Sequence, residues 1–416
     1  MWQSLVNAWK LPDLRKKLLF TALIIALYRL GCYIPSPGVV LDGGLEFEGG
    51  GVFSFIDLFA GGGLQNVAIF ALGIMPYITA SIIMQLLTMV SKRLEALMKE
   101  GPTGQKKMNQ YTRYFTAGLA LVESVGFLFL FDQQYGAFGD VGLTPLRGML
   151  VVMTLTVGAV MVMWLGELIT QRGIGNGISL MIFASIVSRL PGGLWRLFTE
   201  EPAWMWIAMA IIALAVIVFV IYITQGQRRI PVQYAKRVVG RKVYGGQSTY
   251  IPLKVNMAGV IPVIFASSVL MLPVTLAQMS QWGWAVWLAE HVGPSSWWYV
   301  AAEMILIILF TYFYTAVQFN PIDQADNLKK YGGFIPGIRP GRPTAAYLDR
   351  VLTRITFPGA LFLASIVLLP TLLIKFMGVP FYFGGTSILI VIGVALDTMQ
   401  QMESQLLMRH YEGFLK

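Results

Sequence analysis

The chain has 416 residues, of which 56% are hydrophobic and only 12% are charged. These values, with a mean hydropathy of +0.66, exclude an ordinary soluble domain and indicate an integral membrane protein. The single cysteine, Cys32, excludes an internal disulfide, and the presence of only two histidines argues against a thiolate or imidazole metal site.

The amino-terminal residues 1–17 are amphipathic and basic, and we expect them to lie in the cytoplasm. The apolar run that follows, at 18–35, is long enough to remain as a membrane-spanning segment. Arg29 falls inside this run, and we expect it to cap a helix end or to extend its side chain to the membrane interface.

A short apolar stretch follows at 50–66, GGVFSFIDLFAGGGLQN, and it is too short to cross a bilayer. Its spacing predicts an amphipathic helix at 52–60, ended by three glycines at 61–63 and with Asp57 on the polar side. Four apolar residues recur at i, i+3, i+4 and i+7: Val52, Phe55, Ile56 and Phe59. Because a two-turn helix is not stable alone in water, it must pack against another part of the chain.

Ten apolar runs have the length and composition of membrane spans, which predicts an all-α polytopic membrane protein. They lie at about 18–35, 67–90, 112–131, 145–169, 177–191, 204–224, 258–280, 299–318, 355–376 and 385–402. The fifth run is short, so a re-entrant segment is the alternative there.

Loop charge favours ten spans. If all ten cross the membrane, both ends and alternate loops share one side, and that side holds 26 of the 31 Lys and Arg residues. The opposite side holds four, namely Arg147, Arg189, Arg196 and Lys375, with Arg29 inside the first span. The positive-inside rule therefore places both termini in the cytoplasm.

The ten spans divide as five plus five, the pattern of two halves with inverted orientation. We predict an amino-terminal half at 18–195, a carboxyl-terminal half at 196–403 and a cytoplasmic tail at 404–416. Two long basic loops, 225–257 and 319–354, belong to the second half. The first alternates basic with apolar residues and predicts a projecting hairpin. Basic loops often serve topology alone, but loops of this length favour docking of a partner.

The sequence offers no catalytic or cofactor site. It contains no Gly-Lys dipeptide, so a Walker A nucleotide site is excluded. The remaining charges within the spans lie near their predicted ends, where capping or extension to the interface explains them: Glu123, Glu167, Glu303 and Asp397. The chain has no identifiable pair of nucleophile and base, which argues against an enzyme.

Six isoleucines stand close to glycines, prolines or loops on four different spans. They are Ile74, Ile78, Ile178, Ile182, Ile264 and Ile390. Isoleucine within a span usually faces lipid or packing partners, so the residues alone favour that interpretation over a pore-facing one.

Several motifs closely resemble those of the SecY family, the channel subunits of the bacterial protein-translocation machinery. They include IFALGIMPYITASIIMQLLT at 69–88, YTRYFTAG at 111–118, WLGELITQRGIGNGIS at 164–179 and GQRRIPVQYAKR at 226–237. Others are QSTYIPLKVNMAGVIPVIFASS at 247–268, NLKKYGGFIPGIRPG at 327–341 and VPFYFGGTSILI at 379–390. The resemblance covers nearly the whole chain, and residues 36–51 match none of these motifs.

The resemblance implies a channel for unfolded secretory polypeptides that also releases transmembrane segments sideways into lipid. It implies a ten-helix clamshell of two inverted halves, in which the helix at 52–60 is the plug and the six isoleucines form a pore ring. The implied lateral gate lies between the second and seventh spans. Its expected polar residues are Thr79, Gln85, Ser267 and Ser268.

The resemblance also implies partners and a location. The basic loops are expected to bind the SecA ATPase and the ribosome, and ribosomal RNA contact would come only through ribosome docking. The expected docking residues are Arg339, Arg241, Lys242, Arg228 and Arg229. SecE and SecG subunits, signal sequences, nascent or unfolded polypeptides and membrane lipid complete the implied partners, in a bacterial plasma membrane.

A secondary transporter of a small solute is the alternative function, since it would share ten spans and inverted halves. Such a transporter needs polar or charged ligands near the middle of the membrane. The residues expected there are aliphatic, which favours the channel.

The charge distribution generates a topology prediction. An alkaline phosphatase fused after residue 416 is expected to be inactive, because both termini are predicted to be cytoplasmic. A fusion in the predicted external loop at 195–203 serves as the active control. Periplasmic activity of the terminal fusion would overturn the orientation.

Overall fold

The structure is a computed structural model. It describes residue 9 and residues 11–39, 45, 52–133, 138, 142–200, 202–234, 237–239, 242–244, 248–278, 296–377 and 385–413. Within this part the protein is mainly helical. The contacts between residues divide the chain into two compact units. The first comprises Met1–Glu201, Ser267–Val300 and Ile390–Lys416, and the second comprises Pro202–Ala266 and Ala301–Leu389.

The first half of the chain contains the helices α1 Pro12–Gly31, α2 Val52–Phe59, α3 Met75–Val90, α4 Lys92–Lys99, α5 Pro102–Gln133, α6 Pro145–Arg172 and α7 Gly177–Glu200. The helices of the second half are α8 Ala203–Gln225, α9 Ile261–Gln278, α10 Trp297–Gln318, α11 Pro321–Lys330, α12 Arg342–Met377 and α13 Gly385–Gly413. The strands are β1 Gln227–Tyr234, β2 Arg237–Val239, β3 Lys242–Tyr244, β4 Ser248–Lys254 and β5 Gly333–Phe334.

Each of the ten predicted spans overlaps one of these helices. Six helical segments in the described part are long and apolar enough to cross a membrane: Pro102–Asp132, Pro145–Arg172, Gly177–Trp195, Ala203–Gln225, Trp297–Lys330 and Arg342–Leu369. Two shorter apolar helices lie at Met75–Val90 and Ile261–Leu270. The segment Gly177–Trp195 corresponds to the fifth predicted span, for which a re-entrant segment was the alternative. It forms a helix of spanning length, as the ten-span prediction requires and a re-entrant segment would not.

The second predicted span, at 67–90, is only partly helical. Helix α3 begins at Met75, and residues 60–74 form a series of turns instead. These turns satisfy their backbone groups against the chain that follows α1: the amide of Ile69 donates to the carbonyl of Ile34 at 2.9 Å, and the amide of Ser36 donates to the carbonyl of Val67 at 2.9 Å. Hydropathy cannot separate such a buried turn from a helix, because both are apolar.

The first unit is built around an apolar cluster. Residues of the 60–74 turns, including Leu64 and Leu72, pack there with Phe127 and Phe131 of α5 and Leu155 of α6. Helix α6 approaches the turns closely at Gly158, where an added Cβ would lie 1.9 Å from the carbonyl oxygen of Ile69. A glycine is therefore required for this contact between α6 and the turns.

The second unit contains a three-stranded antiparallel sheet in the order β4, β1, β5. Strand β1 pairs with β4 from Gln227↔Lys254 to Gln233↔Ser248, which confirms the hairpin predicted for loop 225–257. The short pair β2 and β3 extends the connection between them. Loop 319–354 contributes β5 to the sheet, so the two long basic loops form one structure.

The close approach at Gly158 generates a stability prediction. Gly158→Ala is expected to destabilise the protein by about 1–3 kcal/mol, because the new methyl group overlaps backbone that cannot move independently. Thermal unfolding in detergent measures this change.

Gly118→Ala is the matched control. Gly118 also lies within a helix, α5, but an added Cβ there meets nothing within 4 Å. Its replacement is expected to be neutral or mildly stabilising, because alanine restricts the unfolded chain more than glycine does. Equal unfolding temperatures for the two variants would contradict the tight packing at Gly158.

Candidate functional site

The six isoleucines predicted for the pore ring are mostly buried. Ile74, at the amino end of α3, is 1% exposed, and Ile390 of α13 is 0% exposed. Ile78, Ile182 and Ile264 are also buried, whereas Ile178 is half-buried and lies near Gly166 of α6. Burial argues against lipid-facing positions, because a side chain that contacts lipid is exposed in a chain without lipid.

Five of these isoleucines lie in the first unit and Ile264 lies in the second. Residues 74 and 78 flank the start of α3, and residues 178 and 182 lie in the first turns of α7. Both pairs therefore follow non-helical segments, the 60–74 turns and the 173–176 connection. A ring of all six stays a prediction.

The predicted short helix exists, as α2 at Val52–Phe59. Ile56 and Phe59 are buried, with 6% and 1% of their surface exposed. The side chains of Val52 and Phe55 lie outside the described residues. Ile56 belongs to the apolar cluster that contains Leu64 and Phe127, so the partner surface of this side chain includes α5 and the 60–74 turns.

The carboxyl end of α2 is an ordered cap. The amide of Gly62 donates to the carbonyl of Asp57 at 3.0 Å, and the amide of Gly61 donates to the carbonyl of Leu58 at 3.3 Å. Together with the positive φ of +66° at Gly61, these bonds form a Schellman motif. The glycines at 61–63 therefore end the helix, as predicted, and they are hydrogen-bonded in a defined turn.

The burial of Asp57 is the main difference from the prediction, because the amphipathic pattern placed this residue on the polar side of the helix, facing solvent. Its side chain is fully buried and forms an ion pair with Arg189 of α7. Its Oδ1 accepts the backbone amide of Gln65 at 2.9 Å, and Arg189 also donates to Oε1 of Gln65 at 3.1 Å. Burial raises the pKa of Asp57, with Arg189 acting in the opposite direction.

Arg29 also contacts this end of the helix. Of the two expected roles, capping or extension to the interface, the structure shows a capping contact: the Nη1 of Arg29 donates to the carbonyl of Gly61 at 2.5 Å. Its Nη2 donates to the hydroxyl of Tyr33 at 3.1 Å. The guanidinium lies 5.2 Å from the centre of the Tyr33 ring. The capping carbonyl of α2 thus has a charged donor from α1.

Helices α1 and α7 are also joined directly beside this cap. The hydroxyls of Tyr28 and Ser185 lie 2.7 Å apart, and both residues are buried. The thiol of Cys32 donates to the carbonyl of Ala60 at 3.5 Å. The end of α2 is therefore held between α1 and α7 by polar contacts.

Pattern reasoning missed this polar cluster, although the sequence contained a signal for it. Asp57 is the only charged residue in the stretch 50–66. Arg29 and Arg189 are both exceptions to the positive-inside distribution, one within a span and the other on the side with few basic residues. An isolated acid in an apolar stretch and two misplaced arginines together indicate an internal ion pair.

The expected gate residues differ in exposure. Thr79 is buried and donates to the carbonyl of Met75 at 3.1 Å, whereas Gln85 is exposed. Ser267 and Ser268 are buried in α9. A gate between these residues stays a prediction.

Three of the predicted docking residues lie on or near the sheet of the second unit: Arg228, Arg229 and Arg339. Arg339 is exposed, and its loop is held by Ile335, which packs in an apolar cluster with Ile230 of β1 and Leu348 of α12. Its own carbonyl accepts the hydroxyl of Thr344 at 2.8 Å. The exposed side chain of Arg339 therefore extends from a backbone that packing and a hydrogen bond hold in place.

Arg228 and Arg229 are exposed on β1, and the guanidinium of Arg229 lies 4.9 Å from the centre of the Tyr250 ring. Arg241 and the side chain of Lys242 lie outside the described residues. With Arg339, the two β1 arginines give this surface of the second unit a positive charge.

Comparison with known proteins agrees with this architecture. The SecY family profile matches residues 68–399. The protein translocase subunit SecY of Streptomyces scabiei is 51% identical over the whole of both chains.

Solved structures share the fold at low sequence identity. The structure of a protein conducting channel matches with a TM-score of 0.65 and 23% identity, over 93% of this chain and 91% of that chain. Sec61 in the canine ribosome-channel complex from the endoplasmic reticulum matches with a TM-score of 0.61 and 22% identity, over 93% and 91%. These matches confirm the predicted fold class, and they give no support to the solute transporter. The chain belongs to the SecY family, as a multi-pass membrane protein and protein translocase subunit with the fold of a protein-conducting channel.

Proposed function

We propose that this chain is the passive conduit through which unfolded secretory polypeptides cross a bacterial plasma membrane, with both termini in the cytoplasm. Apolar segments of the passing chain leave sideways into lipid through a gate lined by α3 and α9. The protein is not an enzyme, and the work comes from SecA, the elongating ribosome or the proton-motive force.

One observation carries the proposal. The helix between the first and second spans is buried at Ile56 and Phe59, although it is too short to span the membrane. A buried two-turn helix at this position is what a plug requires, since it must fill space that a polypeptide later occupies. If all four apolar side chains of the predicted face are buried, they contribute at most roughly 6–12 kcal/mol, which is an upper bound because the displaced helix also hides apolar surface.

The aliphatic ring explains how such a conduit excludes ions. Isoleucine side chains offer no ligand to replace the water around an ion, and an aliphatic constriction can lose its own water when it is empty. A polypeptide fills the ring with its own side chains. Isoleucine adapts to different shapes without binding any of them tightly, so transport is not specific for sequence.

The second unit supplies the partner surface in this proposal. SecA and the ribosome bind the exposed arginines of the sheet and of the loop that contains Arg339. SecE and SecG complete the membrane complex, and signal sequences open it. Acidic protein surfaces and ribosomal RNA both complement this positive charge.

Reconstitution tests the function. Vesicles that contain this chain, SecE and SecA are expected to take up a preprotein when ATP is added, as measured by protection from protease. Arg339→Glu should reduce this uptake strongly without changing the amount of folded channel, because the side chain is exposed and its loss costs little folding energy.

Arg93→Glu is the charge-matched control. Arg93 is exposed on α4, on the same predicted side of the membrane, but outside the two docking loops. Its replacement is expected to leave uptake near the wild-type level. Normal uptake by Arg339→Glu at equal channel levels would count against the docking role.

The seal generates a separate prediction. Deletion of residues 52–60 is expected to leave translocation intact but to allow ion current at rest, because the plug is removed and only the ring remains. Adding Ile78→Gly and Ile182→Gly should increase the leak, since both substitutions widen the constriction. Single-channel current across planar bilayers without substrate measures both effects. A silent channel with all three changes, shown to be inserted and competent for export, would refute the seal.

A further inference from the structure

We propose that Asp57, Arg189 and Arg29 are positioning residues that hold the plug helix in its closed place. We call these three residues the plug latch. The inference rests on the proposed function, because it takes α2 to be the plug. It adds polar contacts to a seal that otherwise consists of the apolar contacts of the plug and the pore ring.

The latch joins the end of α2 to two neighbouring helices. Arg189 of α7 pairs with the carboxylate of Asp57, and Arg29 of α1 donates to the carbonyl of Gly61 at 2.5 Å. Gln65 contacts both partners of the ion pair. Its backbone amide donates to Oδ1 of Asp57 at 2.9 Å, and its side-chain Oε1 accepts from Arg189 at 3.1 Å. All of these residues lie in the first unit.

The side chains of Asp57 and Arg189 differ in exposure, and this difference determines how strongly the loss of either one disfavours the closed position of the helix. The side chain of Asp57 is 1% exposed, whereas that of Arg189 is 29% exposed. Without Arg189, a buried carboxylate would keep its desolvation cost and lose its counter-charge. The closed position would then be disfavoured relative to one in which Asp57 reaches water.

A buried ion pair contributes little net stability compared with an apolar pair of similar size, but it requires a defined geometry. The apolar contacts of Ile56 and Phe59 are non-directional and would tolerate several positions of a two-turn helix. The charged contacts at the carboxyl end of the helix are satisfied in only one of these positions. The latch therefore selects the closed position, and an arriving polypeptide must separate Asp57 from Arg189 to move the plug.

A double-mutant cycle tests the latch. Arg189→Gln is expected to raise the resting open probability of the purified channel complex in planar bilayers roughly tenfold or more, because it leaves the buried carboxylate of Asp57 unpaired. Asp57→Asn should raise the open probability by a smaller factor, because the Arg189 side chain that it leaves is 29% exposed. The double variant should leak less than the product of the single effects, because no unpaired charge remains buried. Arg189→Lys keeps the positive charge and should partly restore closure.

Two controls separate positioning from general damage. The pair Glu95 and Lys99 on α4 is also an acid and a base in contact, at 2.7 Å, but both side chains are more than half exposed. Glu95→Gln and Lys99→Gln are expected to leave the resting current unchanged. Arg189→Gln introduced into the channel that lacks residues 52–60 should add no further leak, because its effect acts through the plug.

The outcomes distinguish the latch from the proposed function. If deletion of 52–60 causes a leak but both single variants stay closed, the latch is wrong and the plug stands. If the deletion itself causes no leak in an export-competent channel, the plug assignment fails. An equal added leak from Arg189→Gln with and without the plug would also overturn the latch. Should Arg189→Gln fail to fold, Asp57→Asn tests the same ion pair from the other partner, with the smaller increase in open probability as the expected result.

Discussion

A polypeptide that crosses hydrocarbon must satisfy all of its backbone hydrogen bonds within the protein, because lipid offers no partners. Most of this chain meets that constraint with helices. Residues 60–74 meet it with turns, whose amides reach carbonyls at the end of α1, such as that of Ile34. Such backbone is tolerated at membrane depth only where it is buried in protein or lines a cavity, and it is from these turns that α3 and its isoleucines begin.

The same turns create the place in which α2 is held. Gly158 lets α6 approach them, and the apolar cluster with Phe127 and Phe131 covers one side of the short helix. A helix of eight residues has no stability of its own, so its position depends on these contacts. In the proposed function, this dependence suits a plug, because little structure is lost when the short helix moves.

Two kinds of interaction have separate tasks in this arrangement. In the proposed plug, apolar contacts supply most of the attraction, but they do not define one position of the helix because they are non-directional. The ion pair of Asp57 with Arg189 defines a position at a desolvation cost that raises the pKa of Asp57. On the sheet of the second unit, the apolar cluster around Ile335 holds the backbone and leaves Arg339 exposed. In both places apolar packing holds the backbone, and the specificity that we propose comes from charge.

The sequence by itself determined the membrane class, the ten helical segments, the short helix at 52–60 and the hairpin of loop 225–257. Each of these has a local signal, whether a long apolar run, a helical period or strand alternation. Motif resemblance then identified the family. Only the tertiary structure decided that 60–74 is a series of turns, that β5 joins the hairpin, and that Asp57 is buried with Arg189. These features join residues far apart in the chain, and local periodicity carries no information about such partners. A lone carboxylate in an apolar helix has the same pattern whether it faces water or a distant arginine.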